Sequence, residues 1–406
     1  MNVLFVTLNL PYPPDRGPRI RDFFLIKEVA RKYDVLLLSL LEDAAQLPYR
    51  PEMRRYCRVV EAVVAGRHLS TEVLRAAWQG WRAGRPAATW LFYDEEMAYK
   101  IQEMVAEHDV GIIQIEHSFL APYVDAIPHG SRCKTVLDLH NIGFAQYRRM
   151  IGLDIGVGEK LGFVLKWWLM RGWEVRYAQR FDCCLAVSLG DAALLRAQNP
   201  RLSVAVIPNG VDSSLYQPLP EPGQGNTLLL IGTIRYPPNR DAVLWFADRI
   251  LPLIARRVPD VQLLVVGHVP TEQVQRLARR GNVIVTGSVA DVVPYYQAAR
   301  VSVVPLRGGG GTRLKVLESM ALGRPVVSTS IGCEGLDVVD GEHVLIADGP
   351  AEFAAAVIRL LEDGELRARM RAQAWQLVRR QYDWASIAGR LTDVYQSLAD
   401  QAHAQL

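Results

Sequence analysis

Short apolar runs alternate with longer amphipathic stretches along most of the 406-residue chain. The short runs are rich in Val, Ile and Leu, as buried strands are. The longer stretches repeat apolar residues every three or four positions, which is the period of a helix. Strands that alternate with helices form parallel sheets that are covered on both faces. The pattern therefore predicts an α/β protein.

The alternation occurs twice, and a stretch rich in proline and glycine near residues 208–226 separates the two series. We therefore predict two Rossmann-like domains that face a central cleft, at residues 1–207 and 208–383. The last helical stretch, 384–406, is expected to cross back and pack on the first domain. Residues 42–95 show only helical patches. The predicted strands are 3–7, 35–41, 110–115, 135–139, 183–187, 204–207, 228–231, 262–266, 283–286, 301–306, 325–329 and 344–346.

Composition narrows the class of protein. Half of the residues are apolar and 22% are charged, which is typical of a globular protein. No apolar run reaches the ~18–20 residues of a membrane span, and the first residues lack the basic start of a signal peptide. The five cysteines form neither a disulfide framework nor a metal-ligand spacing, so we expect a cytoplasmic protein. A net charge of +3 is too small to indicate a nucleic-acid partner.

The stretch from Val301 to Cys333 carries the strongest chemical signal. An apolar run is followed by four glycines, then Thr312, Arg313 and Lys315, and then a helical pattern. A glycine loop that leads into a helix binds phosphate, because backbone N–H groups point outward and the helix dipole favours an anion. Glu318 lies one helical turn after Lys315, where a carboxylate accepts hydrogen bonds from a diol such as ribose. The alternative is a surface loop with solvated cations.

Polar residues also follow strands in the first half of the chain. Glu116 and His117 follow one predicted strand, and His140 and Asn141 follow another. Ligands of open α/β sheets bind beyond the carboxyl ends of the strands, although a histidine there can equally serve as a structural hydrogen-bonding group. Gly17, in the proline-rich loop after the first strand, is either a turn glycine or a point of close approach to a phosphate.

Two stretches have features of segments that bind a membrane surface. Residues 50–85 hold eight Arg against three Glu, with Trp78 and Trp81 among them. Anionic lipids attract such a surface, but a solvated arginine-rich surface over buried tryptophans fits equally well. Residues 159–181 form a long helical pattern with aromatic residues at helical spacing. We interpret it as a helix that faces the core, with a membrane-surface helix as the alternative.

Several of these motifs together resemble the donor-binding domain of glycosyltransferase family 4, whose architecture is called GT-B. They are Gly232, the Gly287-Ser288-Val289 turn, the stretch GGGGTRLKVLESMA and the stretch GRPVVST. The stretches PYPPDRGPRIR, RYPPN and PNGVD and the Tyr382–Trp384 ending resemble more narrowly the bacterial sugar transferases of exopolysaccharide and exosortase systems. The resemblance covers essentially the whole chain.

The resemblance implies a retaining transfer of a sugar from a nucleotide sugar, linked to UDP or GDP, to an acceptor hydroxyl. The first domain would bind the acceptor and the second the donor. His140, Arg313 and Lys315 would be the catalytic residues, His140 near the transferred sugar and the two cations on the diphosphate. The implied donor-binding residues are Gly17, Gly232, Arg235, Gly287, Val289, Gly310, Gly311, Thr312, Leu314 and Glu318.

No Asp-x-Asp motif occurs, which fits a reaction without a metal or other cofactor. Fixed cations then stabilise the departing diphosphate. Two positions depart from the family pattern. Gly310 stands where the family often has a Glu, eight residues before the ribose Glu. Thr233 and Pro238 stand where it often has an Arg and a Lys, so Arg235 becomes a helper on the phosphates.

Two other functions fit the same architecture. A nucleotide-sugar epimerase could use Glu116, His117 and His140 as acid and base groups, and a non-catalytic sugar-nucleotide-binding partner would explain the missing carboxylate at Gly310. A dehydrogenase is disfavoured because no strand is followed by a dinucleotide fingerprint. For the transferase we expect a lipid-linked or growing polysaccharide acceptor, at the inner face of the cytoplasmic membrane, with a peripheral contact to anionic lipid.

Overall fold

The computed structural model describes residues 1–65, 92–153, 156–223, 225–268 and 271–404. The chain divides into two compact units. The first unit comprises Met1–Ala145, Val164–Asn209 and Trp384–Leu406, and the second comprises Gln146–Phe163 and Gly210–Asp383. Each unit has its own parallel sheet with helices packed against it, as expected for two Rossmann-like domains.

The sheet of the first unit has seven strands in the described residues. All neighbouring strands are parallel, and their order is β3-β2-β1-β4-β5-β6-β7. The strands are β1 (Asn2–Leu8), β2 (Asp34–Leu41), β3 (Val59–Val64), β4 (Val110–Glu116), β5 (Lys134–Leu139), β6 (Cys183–Ala186) and β7 (Val204–Val206).

Six α-helices lie between these strands in the described residues. They are α1 (Gly17–Val29), α2 (Arg50–Met53), α3 (Glu95–Glu107), α4 (Gly143–Ile151), α5 (Val157–Ala178) and α6 (Leu189–Gln198). The division between the units falls inside α4 and inside α5, because Gln146–Phe163 belongs to the second unit. The sequence pattern did not indicate that Gln146–Phe163 belongs to the second unit, since neither helix is interrupted by Pro or by a run of Gly at the division.

The sheet of the second unit has six strands in the described residues, in the order β10-β9-β8-β11-β12-β13. The strands are β8 (Thr227–Ile231), β9 (Gln262–Val266), β10 (Val283–Gly287), β11 (Val301–Val304), β12 (Val326–Ser328) and β13 (Leu345–Ile346). The remaining helices are α7 (Pro237–Trp245), α8 (Leu251–Arg257), α9 (Glu272–Gln275), α10 (Val293–Ala298), α11 (Leu314–Ala321), α12 (Pro350–Glu362), α13 (Gly364–Leu377) and α14 (Trp384–Ala404).

Helix α14 belongs to the first unit and packs on α1. The indole of Trp384 stacks on the ring of Phe24 with the ring centroids 5.6 Å apart and an interplanar angle of 5°. Farther along the helix, the buried hydroxyl of Tyr395 donates to the side-chain oxygen of Gln114 on β4. Aromatic stacking and a satisfied buried hydroxyl both favour this position of the final helix.

The predicted α/β class and the two parallel sheets are confirmed, but some elements differ. β3 lies in the stretch where only helical patches were expected, because its sequence VVEAVV is short and Glu61 interrupts its apolar run. The apolar spacing over 239–254 predicts one helix, but the structure has α7, a π-helical turn and α8, which has Pro252 in its first turn. Proline is favoured at a helix start and interrupts a helix interior.

In the described residues, no helix is both long and apolar enough to cross a membrane. All five cysteines are buried and none forms a disulfide. Burial raises the pKa of the Cys57 thiol to about 12. The thiolate form, which is the reactive one, is therefore disfavoured at this position.

Candidate functional site

The glycine loop between β11 and α11 is shaped by packing against the segment Gln146–Phe163. A Cβ atom on Gly308 would lie 2.8 Å from Cδ2 of Leu153, and one on Gly310 would lie 3.0 Å from Cβ of Gln146. Side chains at these positions would displace their neighbours. Two of the four glycines are therefore explained by contacts within the protein, and the close approach of this loop to a phosphate stays a prediction.

The other two glycines have backbone conformations that favour glycine. Gly309 has φ +107° and Gly311 has φ +73°, both in the left-handed region. The guanidinium of Arg149 donates to the carbonyl oxygen of Gly309 at 3.2 Å and also pairs with Glu334. The loop thus has a fixed shape at the mouth of the sheet.

The ammonium group of Lys315 lies against a glycine at the end of β8. A Cβ atom on Gly232 would lie only 2.8 Å from Nζ of Lys315 and 2.9 Å from Nδ2 of Asn239. Nζ of Lys315 donates to Oδ1 of Asn239 at 2.9 Å, and Nδ2 of Asn239 donates to the carbonyl oxygen of Thr233 at 2.9 Å. Gly232 is therefore required for space, and Asn239 orients the lysine.

Burial of Lys315, followed by the nearby charge of Arg313, lowers the pKa of the lysine to about 7, although Glu318 acts in the opposite direction. A lysine in this state is half charged near neutrality. An anion beside it would favour the charged form and raise the pKa again. The site is consequently prepared for a negatively charged ligand.

Arg313 immediately precedes α11 and is buried, with 8% of its surface exposed. Its guanidinium donates to the carbonyl oxygen of Gly310, which ties the arginine to the glycine loop. Thr312 is also buried, and Leu314 is the first residue of α11. The first turn of α11 therefore carries two basic side chains beside backbone N–H groups that have no partner within the helix.

Glu318 lies one turn farther along α11, as the sequence predicted. The hydroxyl of Tyr296 donates to its Oε2 at 3.4 Å. Burial raises the pKa of Glu318, while Lys315 and the hydrogen bond from Tyr296 act against that shift. The carboxylate is thus held close to the lysine, at the distance of one helical turn that we expected of a ribose-binding group.

Three further predicted positions lie at the same edge of the sheet. Gly287 ends β10 with φ +75°, and its carbonyl oxygen accepts from the N–H of Gly267 at 3.0 Å. Val289, two residues later, is half-buried and packs against the hydrophobic cluster that includes Leu229 and Val266. Arg235 is exposed on the turn between β8 and α7. The structure brings Gly232, Arg313, Lys315 and Glu318 together but gives no contact that joins Arg235 to them.

Asn239 is the functional residue that sequence reasoning missed in this unit. It follows Pro237 and Pro238 in the first turn of α7. The stretch RYPPN contains Asn239. Within that stretch only Pro238 was singled out from the sequence, because it stands where glycosyltransferase family 4 often has a lysine. An asparagine beside two prolines is also a common turn pattern, so its local sequence did not distinguish the two roles.

A second cluster lies in the first unit, where β4 and β5 end. Nε2 of His140 lies 2.8 Å from Oε2 of Glu116 and 3.2 Å from Oδ1 of Asp22. All three side chains are buried. Asp22 comes from α1 and was not anticipated, because nothing in its local sequence separates it from an ordinary surface residue of a helix.

The same cluster contains a buried ion pair. The guanidinium of Arg21 contacts both carboxylate oxygens of Asp138, at 2.9 and 3.0 Å. It also donates to the carbonyl oxygen of Pro208 and to Oδ1 of Asn209, each at 3.0 Å. Arg21 thereby links α1, the end of β5 and the chain after β7.

Three carboxylates therefore share one arginine and one histidine. Burial alone would lower the pKa of His140, but Asp22 and Glu116 raise it above its ordinary value. Burial raises the pKa of Glu116 and of Asp22, and groups as close as these titrate together rather than singly. His117 behaves in the opposite way, because burial and the charge of His140 lower its pKa. The pKa values of these two neighbouring histidines are therefore shifted in opposite directions.

The chemistry of these side chains would also suit a cation. In the described residues, the ligand atoms of two overlapping sets lie within 4.8 Å of one another: Asp22, His117 and His140, and Glu116, Asp138 and His140. Arg21 already occupies the carboxylate of Asp138, and a positive ion would meet that guanidinium. The expectation that no metal is required stays a prediction.

Glu174 of α5 fixes the chain just after His140. Its two carboxylate oxygens accept from the backbone N–H groups of Gly143 and Phe144, at 3.1 and 3.3 Å. These N–H groups begin α4, so Glu174 caps that helix. Burial raises the pKa of Glu174 to about 7. The aromatic residues of this helix were noted from the sequence, whereas Glu174 was not recognised as a capping residue.

Two other predictions concern the first unit. Gly17 is exposed and is the first residue of α1, three residues before Ile20, near which the helical pattern predicts the start of that helix. Of the basic stretch 50–85, Arg50 lies 3.5 Å from Glu61 and Arg55 lies 2.9 Å from Glu52. Residues 66–91, which include Trp78 and Trp81, lie outside the described residues.

Part of the chain matches a known protein family. Residues 225–363 match the family "Glycosyl transferases group 1". This match contains β8 to β13 and every residue of the cationic site around Lys315. The glycosyltransferase resemblance of the second unit is therefore supported over most of its length, whereas the narrower exopolysaccharide group is not tested.

The curated relatives match about half of the chain. A phosphatidyl-myo-inositol mannosyltransferase of Mycobacterium tuberculosis is 34% identical over 207 residues, which are 48% of this chain and 54% of the relative. A D-inositol 3-phosphate glycosyltransferase of Thermobispora bispora is 28% identical over 237 residues, which are 50% of this chain and 53% of that relative. The chain thus spans about half the length of these relatives.

Solved structures match nearly the whole chain. The sucrose-phosphate synthase of Thermosynechococcus elongatus has a TM-score of 0.74 at 18% identity, over 98% of this chain and 99% of the other. The fold is GT-B. HepE of Anabaena, solved in complex with UDP and glucose, has a TM-score of 0.69 at 16% identity, over 98% of this chain and 100% of HepE.

Proposed function

We propose that this GT-B protein is a glycosyltransferase that moves a sugar from a nucleotide-diphosphate sugar to an acceptor hydroxyl. The observation that carries the proposal is the position of Lys315. Its ammonium contacts Gly232 and Asn239, beside Arg313 and one turn from Glu318. Fixed cations at the start of a helix bind a diphosphate.

The similar proteins support the choice of donor. HepE was solved with UDP and glucose and also with UDP-glucose, and the matched relatives are named as a mannosyltransferase and a glycosyltransferase. In our proposal the donor is linked to UDP or GDP, Glu318 accepts hydrogen bonds from the ribose, and the turn from Gly287 to Val289 meets the base. Gly310, Gly311, Thr312 and Leu314 supply backbone and hydroxyl hydrogen bonds, with Gly17 and Arg235 as helpers.

Departure of the diphosphate is the step that the cations assist. As the bond from the sugar to the diphosphate breaks, negative charge grows on the phosphate oxygens. Lys315 and Arg313 offset that charge from fixed positions, which lowers the barrier without a metal ion. We propose retention of configuration at the sugar. His140 is the further proposed catalytic residue, and Glu116 and Asp22 hold its ring in place.

The acceptor is proposed from chemistry and similarity together. The mannosyltransferase relative is named for phosphatidyl-myo-inositol, a lipid whose inositol headgroup carries hydroxyls. We propose a lipid-linked or growing polysaccharide acceptor, at the inner face of the cytoplasmic membrane, in exopolysaccharide or cell-surface glycan synthesis.

One observation favours an epimerase as the second candidate. His140 and Glu116 form a buried pair with shifted pKa values, as acid and base catalysts do. Incubation with a nucleotide sugar separates the two functions, because an epimerase returns an isomerised donor and a transferase glycosylates an added acceptor. Turnover of any donor would exclude a purely non-catalytic binding partner.

The first test is calorimetric titration with UDP and with GDP, without divalent metal. We expect one nucleotide to bind, and we expect Lys315→Ala to weaken that binding about 10- to 100-fold, since hydrogen bonds to charged groups contribute about 1.5–3 kcal/mol. Lys100→Ala is the control, because Lys100 pairs with Glu103 on α3 in the first unit. If neither nucleotide binds, with or without Mg²⁺, the diphosphate site is wrong.

A further inference from the structure

Helix α5 has two apolar faces. One face is buried and includes Met170, Trp173 and Tyr177. The other face is exposed and consists of five large apolar side chains, which we call the exposed stripe. Its members, with their exposed fractions, are Val157 (75%), Leu161 (66%), Val164 (41%), Leu165 (56%) and Trp168 (67%).

The spacing of the exposed stripe is helical. Leu161 follows Val157 by four positions, Leu165 follows Leu161 by four, and Trp168 follows Leu165 by three, so these side chains share one face of one continuous helix. Elsewhere in the described part of the chain, no helix carries more than one exposed large apolar side chain. Single exposed apolar residues are ordinary, whereas a contiguous apolar patch marks an interaction surface.

Basic residues border the exposed stripe. On a helical wheel, Lys160 and Arg171 lie on one side of it and Arg176 lies on the other. Arg171 and Arg176 are exposed, and Lys160 is half-buried. The acidic residues of α5 lie elsewhere, because Glu174 is buried and Glu159 pairs with Arg240 at 3.4 Å. The surface is therefore apolar along its centre and positive along its edges.

We propose that the exposed stripe docks on the surface of an anionic lipid bilayer. A helix with an apolar face and basic borders lies in the headgroup region, where the apolar side chains insert and the cations meet anionic headgroups. A second copy of this chain is a poorer occupant, because two such helices packed face to face would bring their basic borders together. The proposal rests on the proposed function only in that a lipid-linked acceptor gives the docking a purpose.

Sedimentation of the full-length protein with vesicles tests the surface. Vesicles of phosphatidylcholine with phosphatidylglycerol are compared with vesicles of phosphatidylcholine alone. We expect binding to the anionic vesicles, and a loss of about tenfold or more in the Leu161→Ser/Trp168→Ser double variant, since each buried apolar side chain contributes to partitioning. Leu189→Ser and Leu215→Ser are matched controls, because these leucines are 69% and 70% exposed but lie outside α5.

Three outcomes would overturn the proposal. The first is no preference for anionic vesicles. The second is an equal loss of binding in the double variant and in the two controls. The third is a dimer in sedimentation velocity that the double variant dissociates, since a second copy would then cover the stripe. Nucleotide titration of the double variant is run alongside, and we expect an unchanged Kd, so failure of the docking surface is distinguishable from failure of the donor site.

Discussion

The cluster around His140 and the site around Lys315 both lie where parallel strands end, but they are built differently. In the first unit, three carboxylates are buried with Arg21 and His140, so opposite charges meet within the cluster. In the second unit, Lys315 donates to the neutral amide of Asn239, and burial, followed by the charge of Arg313, lowers the pKa of the lysine. The first cluster already pairs its carboxylates with cations, whereas the second gains from an added anion.

This difference distinguishes buried polar groups that hold the fold in place from polar groups that bind a ligand. A buried group whose partners already balance its charge mainly holds elements in place. A buried cation with a lowered pKa is stabilised when an anion arrives. By this criterion, Lys315 is the stronger candidate for direct contact with the donor. The outer part of the histidine cluster, around Arg21 and Asp138, is primarily a positioning device.

The largest expected effect comes from breaking the buried ion pair of the first unit. Arg21→Met leaves the carboxylate of Asp138 buried without its cation, and removal of one partner of such a pair costs about 3–5 kcal/mol. Arg19→Met is the matched control on the same helix. Its pair with Asp15, at 3.2 Å, is more exposed, so about 0–1 kcal/mol is expected.

Thermal unfolding followed by circular dichroism measures both variants. Because the protein has two units, the first transition of each variant is compared with that of the unmodified protein. Equal losses for Arg21→Met and Arg19→Met would show that the buried pair contributes no more than a surface pair, and the positioning role of Arg21 would be wrong.

The sequence predicted the parts of both sites that depend on local pattern. The strands before His117, His140 and the glycine loop are short apolar runs, and Arg313, Lys315 and Glu318 lie within one loop and one helix. A loop, a helix start and a helical turn are local features, so a single stretch of sequence is enough to anticipate them.

The missed residues depend on partners that are remote in sequence. Asn239 and Lys315 are 76 positions apart, and Arg21 and Asp138 are 117 apart. Local sequence cannot reveal such pairs, because the topology of the sheet decides which strand ends become neighbours. The packing of Gln146 on the glycine loop was missed for the same reason. The exposed stripe was obscured by the aromatic residues on the buried face of α5, which have the same period.

The next largest expected effect is a dependence of the affinity for the donor on pH, through the charge of Lys315. The pKa of Lys315 is lowered to about 7 in the absence of a ligand, and a bound diphosphate raises it. Binding above pH 7 therefore takes up a proton. We expect the affinity for a nucleotide sugar to fall up to about tenfold for each pH unit above 7 until the pKa of the bound state is reached.

Calorimetric titration at pH 7, 8 and 9, in two buffers that differ in ionisation enthalpy, measures both the affinity and the proton uptake. The control is Lys315→Arg, because a guanidinium stays charged over this range and its binding should vary little with pH. An affinity of the unmodified protein that is equally flat would show that Lys315 does not change its charge when the donor binds.

The smallest expected effect concerns Gly310, which stands where glycosyltransferase family 4 often has a Glu. A Cβ atom there would lie 3.0 Å from Cβ of Gln146, so Gly310→Glu should destabilise the protein by about 1 kcal/mol through overpacking. Combining it with Gln146→Gly, which removes the Cβ atom in question, gives a double-mutant cycle, and the combined loss should be smaller than the sum of the single losses. Additive losses would mean that Gln146 does not explain the glycine. The absence of a carboxylate at Gly310 would then have to be explained by the bound donor and not by packing within the protein.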